Sequence, residues 1–374
     1  MSNVLPSFEG DVVLREQPLV LDGGAQLPSA TLHYAVYGDP ARLPVVLVCH
    51  ALSGSARAAE WWPHLYAPGG PLQPFASVCF NILGSCYGST GPTSLDSRTG
   101  TAYGPAFPPV TIADIVRAQA SALESLGIGK LHAVVGASIG GMQALQWAID
   151  FPARVERCIA IGAAPLGAMG LAFSHLQRQA IRLDPEWQGG RYRRQPATGL
   201  ALARSIAMCT YKSAPLYDER HGRRPNGQED PYRSLDDRFD VAGYLDHQGE
   251  KIVARFDANS YLVISKAMDT FDPTRGYASE EAAFSRIEAQ CTLVGISSDW
   301  LFPAADVWSV AHRIRGAGAP CEYAEIETAH GHDGFLADAH LLEPILRQAL
   351  EPAPTRVAAA AHSTSKELRD GTVG

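Results

Sequence analysis

The 374-residue sequence lacks any apolar run long enough to cross a membrane, since none reaches about 18 residues. It lacks the balance of positive charge that a nucleic-acid or anionic-membrane surface needs. The net charge is −8, so an anionic partner requires a local basic patch. It has no C-x-x-C pair, and its seven cysteines are an odd number. A zinc or disulfide framework is therefore not expected. Cys49, Cys79, Cys158 and Cys291 lie inside strand-like runs and read as small buried apolar residues in a reducing compartment. The N-terminus, MSNVLPSFEGDVVLREQ, has no signal-peptide core, and internal repeats are missing. These absences imply a cytoplasmic chain with no nucleic-acid or membrane partner and no bound metal.

With 46% hydrophobic and 19% charged residues, the chain can build a large core. Short, β-branched, nearly continuous apolar runs recur at 45–49, 77–83, 131–135, 158–161, 291–296 and 321–326. Unbroken apolarity rather than alternation is the mark of parallel strands covered on both faces. Helical spacing fills 112–126, which stops before Gly127, and 141–149, which stops before Phe151-Pro152. The alternation predicts an α/β domain with a mostly parallel sheet. It lapses between about Pro165 and Gln290, where helix-like pieces are broken by polar loops. The expected organisation is a core of 1–164 and 291–351, a helical lid of 165–290, and a flexible C-terminal tail of 352–374.

Gly136-Ala137-Ser138-Ile139-Gly140 fits G-x-S-x-G, with a strand-like run before it and a helix-like run after it. A glycine-flanked serine also occurs in ordinary turns. The strand–turn–helix context is what a nucleophile elbow requires, because small neighbours permit the sharp turn that exposes the serine hydroxyl. A serine nucleophile needs a base, and the base needs an orienting acid. In an α/β-hydrolase sheet these follow in the order serine, acid, histidine. Asp299, in SDWLFP, and the two histidines of AHGHDG, His330 and His332, fall in that order beyond strand-like runs. Taken singly, Asp299 also fits a helix N-cap before Leu301-Phe302, and either histidine fits a loop residue exposed to water. Two backbone donors are expected for an oxyanion: Ile139, just after the serine, and Leu52 in the loop CHALSGS.

The segments CHALSGS, NILGSCYGSTGPTS, YGPAFPPVTIADIVRAQ, GASIGGMQALQWA, YLDHQGEKIVARFDANSY and GHDGFL together resemble the homoserine O-acyltransferases of the α/β-hydrolase superfamily, over about residues 14–348. The GSTGP and GHDGFL segments are far more specific than the serine motif. The resemblance implies an α/β-hydrolase fold with a helical lid and a Ser138–Asp299–His332 triad, the second histidine being the base. It implies transfer of an acetyl group from acetyl-CoA, with succinyl-CoA as the alternative donor, to homoserine on the route to methionine. No cofactor is permanently bound. Asp333 corresponds to the acidic contact to the substrate amine, and a homodimer through the lid is expected. In TYKS, Tyr211 and Ser213 keep the family pattern, but Lys212 stands where relatives commonly carry an arginine that binds the acceptor carboxylate. Lysine gives up the planar fork, which leaves serine open as an acceptor and Arg178 as another candidate carboxylate contact. Residues 178–224 carry nine arginines and one lysine against four acidic residues, a net +6. That stretch reads as a CoA-facing rim or as a solvated helix surface. An esterase or thioesterase would use the same triad with water as acceptor. A non-catalytic binding module has no need of a complete triad.

Overall fold

A computed structural model of the chain describes residues 4–15 and 17–351. The expected tail of 352–374 lies outside the described residues. One eight-stranded sheet organises the molecule. Its strands are β1 (Phe8–Val13), β2 (Thr31–Tyr37), β3 (Val45–Cys49), β4 (Ala76–Phe80), β5 (Ala133–Ala137), β6 (Arg157–Ile161), β7 (Gln290–Ile296) and β8 (Cys321–Ile326), in the spatial order β1-β2-β4-β3-β5-β6-β7-β8. From β4 across to β8 every neighbouring pair is parallel, while β2 runs antiparallel to both β1 and β4. Each parallel strand predicted from its apolar run is present, with ends shifted by up to three residues. Strands β1 and β2 were not predicted. FEGDVV and TLHYAVY carry charged or polar residues among their apolar ones and lack a continuous run: β1 is the sheet's edge and is mostly exposed or half-buried, and β2, though paired on both sides, keeps Thr31 and His33 only half-buried.

The continuous runs have a direct structural cause. Along β3, Leu47 and Cys49 enter the apolar cluster on one face of the sheet, and Val46 and Val48 enter the cluster on the other. Successive side chains of a strand point to opposite faces, so a strand covered on both sides has no position left for a polar residue. The first face is covered by α1 (Ile112–Ser125), α2 (Ile139–Asp150) and α8 (Ala304–Gly316), and the second includes Trp62 and the helix α9 (Glu343–Leu350). Helix α1 starts at a capping box. The Thr111 hydroxyl accepts from the Asp114 amide at 3.1 Å, and the Asp114 carboxylate accepts from the Thr111 amide at 2.8 Å.

Between β6 and β7 the chain leaves the sheet for about 130 residues. The principal helices of this insertion are α3 (Ala168–Leu183), α4 (Ala197–Tyr211), α5 (Ala214–Arg220), α6 (Asp240–Val253) and α7 (Ala258–Asp269). Leu200, Ala203, Ile252 and Tyr261 from these helices join the larger sheet-face cluster. The insertion is thus packed onto the core by apolar burial. It leaves the sheet after Ile161, at the strand ends that carry the site, and returns at Gln290, which pairs with Arg157 at the opposite end of the strands.

Candidate active site

Ser138 sits between β5 and α2 with φ 59° and ψ −129°, one of two non-glycine residues with positive φ among the described residues. Such a conformation costs on the order of 1–3 kcal/mol, and the surroundings must hold it in place. Backbone bonds do part of this, since the Ser138 amide donates to Ile161 O at 2.9 Å and its carbonyl accepts from the Met142 amide at 3.1 Å. The flanking glycines do the rest. A Cβ on Gly136 would fall 2.2 Å from the carbonyl oxygen of Gly140, and one on Gly140 would fall 2.1 Å from that of Cys49. The serine motif is therefore a backbone-to-backbone contact between the elbow and the end of β3.

That contact sets the elbow beside the loop that follows β3. The Gly54 amide donates to Ala51 O at 2.8 Å, closing a turn with Leu52 and Ser53 at its centre. Neither the Leu52 nor the Ile139 amide donates to any group among the described residues. Ile139 is the first residue of α2, where amides point out of the helix without an internal acceptor. The two donors expected from the sequence are both uncommitted.

Asp299 and His332 come from the loops after β7 and β8. His332 Nδ1 lies 2.6 Å from Asp299 Oδ2, and the two side chains are 3% and 0% exposed. The other carboxylate oxygen, Oδ1, accepts from the Leu301 and Phe302 amides, both at 2.9 Å. Asp299 is not the helix N-cap that the sequence also allowed, because the next helix starts only at Ala304 after Pro303; its Oδ1 holds loop amides while Oδ2 faces the imidazole. Phe302, Phe335 and Tyr211 surround the imidazole, with ring centroids 5.1, 5.4 and 5.7 Å away. Burial alone would drive a proton off His332. The Asp299 carboxylate outweighs it, and the pKa stands above the ordinary 6.5. The remaining ring nitrogen, Nε2, is buried and has no hydrogen-bond partner among the described residues, the Ser138 hydroxyl included. Gly162 connects the dyad to the elbow. It directly follows Ile161, whose carbonyl holds the Ser138 amide, and a Cβ on it would lie 3.5 Å from Asp299 Oδ2 and 3.6 Å from His332 Cε1. In unliganded sites the base–nucleophile hydrogen bond is often long and tightens only with substrate.

The alternative histidine is committed elsewhere. His330 Nδ1 lies 2.6 Å from Asp338 Oδ2, and Arg220 donates to its Nε2 at 2.8 Å.

A family model described as alpha/beta hydrolase fold matches residues 44–338. The chain is 42% identical over 358 residues to a homoserine O-acetyltransferase of Symbiobacterium thermophilum, covering 91% of this chain and 94% of that protein. It is 42% identical over 341 residues to a homoserine O-succinyltransferase of Alkalilimnicola ehrlichii, covering 86% and 89%. The crystal structure of homoserine O-acetyltransferase from Bacillus anthracis superposes with a TM-score of 0.84 at 28% identity, covering 92% and 98%. The chain belongs to the homoserine O-acyltransferase family.

The two positions that the family resemblance linked to substrate contact are joined to each other. Lys212 Nζ donates to Asp333 Oδ2 at 3.1 Å, with side chains 11% and 20% exposed. Segment 211–213 reaches the histidine loop because Gly331, at φ +65°, has no Cβ; one there would meet Ser213 N at 2.8 Å. The Ser213 hydroxyl donates to Ala329 O and fixes that contact.

A cavity of about 680 Å³ opens beside the Ala51–Gly54 turn, lined among others by Ser53, Trp61, Tyr87, Arg204 and Arg255. Of the nine arginines in 178–224, Arg204 is the one that lines it. Its guanidinium lies 5.4 Å over the Tyr211 ring. Arg178, the other candidate for the acceptor carboxylate, lines a separate cavity and pairs with Asp269 at 2.5 Å. Sequence reasoning missed Arg204, Arg255 and His50. The last two stand inside quoted family segments, ARFDANSY and CHALSGS, where motif resemblance gave no role to a single cation or ring.

Proposed function

We propose that the chain transfers an acetyl group from acetyl-CoA to the hydroxyl of L-homoserine through an acyl-Ser138 intermediate. The observation that carries this reading is the buried Asp299–His332 pair beside a strained serine elbow, in a chain whose close relatives bear that activity's name. Because Nδ1 donates to Asp299, Nε2 is left as the acceptor for a proton. His332 takes the proton of Ser138 as its oxygen attacks the thioester carbonyl. The tetrahedral oxyanion is held by the Ile139 and Leu52 amides, and the CoA sulfur leaves with the proton from His332. In the second half the homoserine hydroxyl gives its proton to the same nitrogen and attacks the acyl-serine ester. Ser138 then departs with that proton, and O-acetylhomoserine is released.

The Lys212–Asp333 pair supports an amino-acid acceptor. A zwitterion carries the same two charges. Its carboxylate takes the place of Asp333 on Lys212, and its ammonium takes the place of Lys212 on Asp333, with Tyr211 beside the base. Arg204 carries no ion pair among the described residues and offers a second cation for the carboxylate. The equally similar O-succinyltransferase favours succinyl-CoA as the second reading of the donor. The seven free thiols suit a cytoplasmic enzyme. Exposed Met169, Leu176, Leu183 and Leu202 on α3 and α4 suit a homodimer formed through the insertion.

Mass spectrometry after mixing with acetyl-CoA alone tests the intermediate, with an acetylated Ser138 peptide expected and none in Ser138→Ala. Comparison of kcat/KM for the two thioesters tests the donor. A tenfold advantage for succinyl-CoA, about 1.4 kcal/mol in transition-state binding, reverses the assignment. Release of free acetate at the same rate with and without homoserine would make the chain an esterase.

A further inference from the structure

The turn that carries the Leu52 amide is gripped from both sides by residues that the acyl-transfer chemistry does not use. From the core side, His50 is wholly buried. Its Nδ1 lies 2.7 Å from Ala51 O, and its Nε2 accepts from the Ile82 amide at 3.3 Å. An acceptor role for Nε2 requires the proton on Nδ1, so His50 donates to the turn as a neutral ring. Burial pushes its pKa down to about 4, so the ring stays neutral. Gly54 leaves room for it, since a Cβ there would sit 2.9 Å from His50 Cβ.

From the insertion side, the grip comes from Arg255, between α6 and α7. Its Nη1 donates to Ser53 O at 2.5 Å and to the Tyr87 hydroxyl at 3.0 Å, and its Nη2 donates to the Ser53 hydroxyl at 3.2 Å. The next two residues anchor the same stretch. The Phe256 ring meets Tyr87 edge-on with centroids 5.6 Å apart, and the Asp257 amide donates to Cys86 Sγ at 3.4 Å. Arg255 forms no ion pair among the described residues, and its guanidinium is spent on the turn.

We propose that Arg255 is a positioning residue for the oxyanion site, fixing the Ala51–Gly54 turn so that the Leu52 amide stays aimed at the elbow, and thereby tying the seating of the helical insertion to acyl transfer. The proposal rests on the acyl-serine reading. A planar guanidinium suits the task because it reaches the carbonyl, the serine hydroxyl and the tyrosine at once, which an ammonium on a flexible stem does less well. An oxyanion donor that drifts by a fraction of an ångström loses much of its effect on the transition state and little of its effect on substrate binding.

The test uses the full chain as wild type, Arg255→Met and Arg255→Lys, acylated by p-nitrophenyl acetate without an acceptor. Affinity for an alkylboronic acid, which forms a tetrahedral adduct on an active-site serine, is measured in parallel. Arg255→Met is expected to slow acylation about 10- to 100-fold and to weaken boronate binding by the same factor, as loss of oxyanion stabilisation does. The thioester KM stays within about threefold, because ground-state binding is spared. Arg255→Lys loses less, and millimolar guanidinium restores part of the rate to Arg255→Met. Acylation of Arg255→Met within about twofold of wild type, or a loss confined to the thioester KM, overturns the proposal alone. Wild type that p-nitrophenyl acetate does not acylate at Ser138 overturns the acyl-serine reading and this proposal with it.

Discussion

Asp299 grips His332 through the nitrogen that faces away from the chemistry, and the 2.6 Å contact is closed to water on both sides. The carboxylate cannot turn away, because its second oxygen is held by the amides of Leu301 and Phe302. One consequence is a pH dependence with a defined sign. In the proposed reaction His332 works only when neutral, and its pKa is raised above 6.5: burial pushes it down, and the Asp299 charge pushes it up further. Activity is therefore lost as pH falls through a value above 6.5, so the acidic limb of kcat/KM for the thioester lies on the alkaline side of an ordinary histidine. Asp299→Asn removes the raising charge while burial remains. The limb should move to lower pH, and kcat should fall about 10³- to 10⁴-fold through loss of the correct tautomer. An acidic limb that does not move in Asp299→Asn would assign it to another group.

His330 and His332 separate cleanly by environment. His330 is bound at both nitrogens, by Asp338 and Arg220, and has none left for a substrate proton. His330→Ala should keep kcat within a few-fold and lower stability by about 0.5–1.5 kcal/mol, the loss expected when a part-buried hydrogen bond is cut. His332→Ala should lose at least about 10³-fold in acylation rate. The reverse pattern in a stopped-flow acylation assay would exchange their roles.

What was legible in the sequence follows from physics at each place. The parallel strands declared themselves because burial on both faces excludes polar residues, as in VVLVC at β3. The elbow declared itself because Gly136 and Gly140 touch backbone, where no other residue fits. Strands β1 and β2 carried no such signal, since their partly exposed positions tolerate Glu9, Asp11 and His33. The family pattern links Lys212 to the acceptor carboxylate but says nothing of Asp333, because their pairing is a contact 121 residues apart that no local pattern encodes. Arg255 was invisible for the same reason, because its partners Ser53 and Tyr87 lie 202 and 168 residues away.

The Lys212–Asp333 pair predicts a separation of the two half-reactions. Lys212→Ala should raise the acceptor KM at least about tenfold, a loss in the range for a charge-assisted hydrogen bond, while acylation of Ser138 by the thioester stays unchanged. Asp333→Asn should also raise the acceptor KM, and the two effects should be far from additive because each residue is the other's partner. Steady-state acceptor kinetics beside a single-turnover acylation assay checks both. An unchanged acceptor KM in Lys212→Ala would leave the carboxylate to Arg204. A slowed acylation step would move Lys212 to the donor side.

Gly140 offers a prediction about stability that separates the elbow's architecture from its chemistry. A methyl group on Gly140 would lie 2.1 Å from Cys49 O and 2.8 Å from its carbonyl carbon, and both obstacles are backbone of a central strand. Side chains can change rotamer, but β3 is hydrogen-bonded on both sides, to β4 and β5, and cannot retreat without breaking ladder bonds. Gly140→Ala should therefore cost at least the roughly 3 kcal/mol at the upper end of ordinary overpacking. It should also displace the Ile139 amide and the Leu52 turn together, because the elbow and the end of β3 are the two sides of that contact. Ser138→Ala introduces no such clash, so it should melt close to wild type while losing acyl transfer. Thermal or urea unfolding of the two variants side by side makes the comparison. Equal stability of Gly140→Ala and wild type would mean that the elbow is not packed against the end of β3 as described.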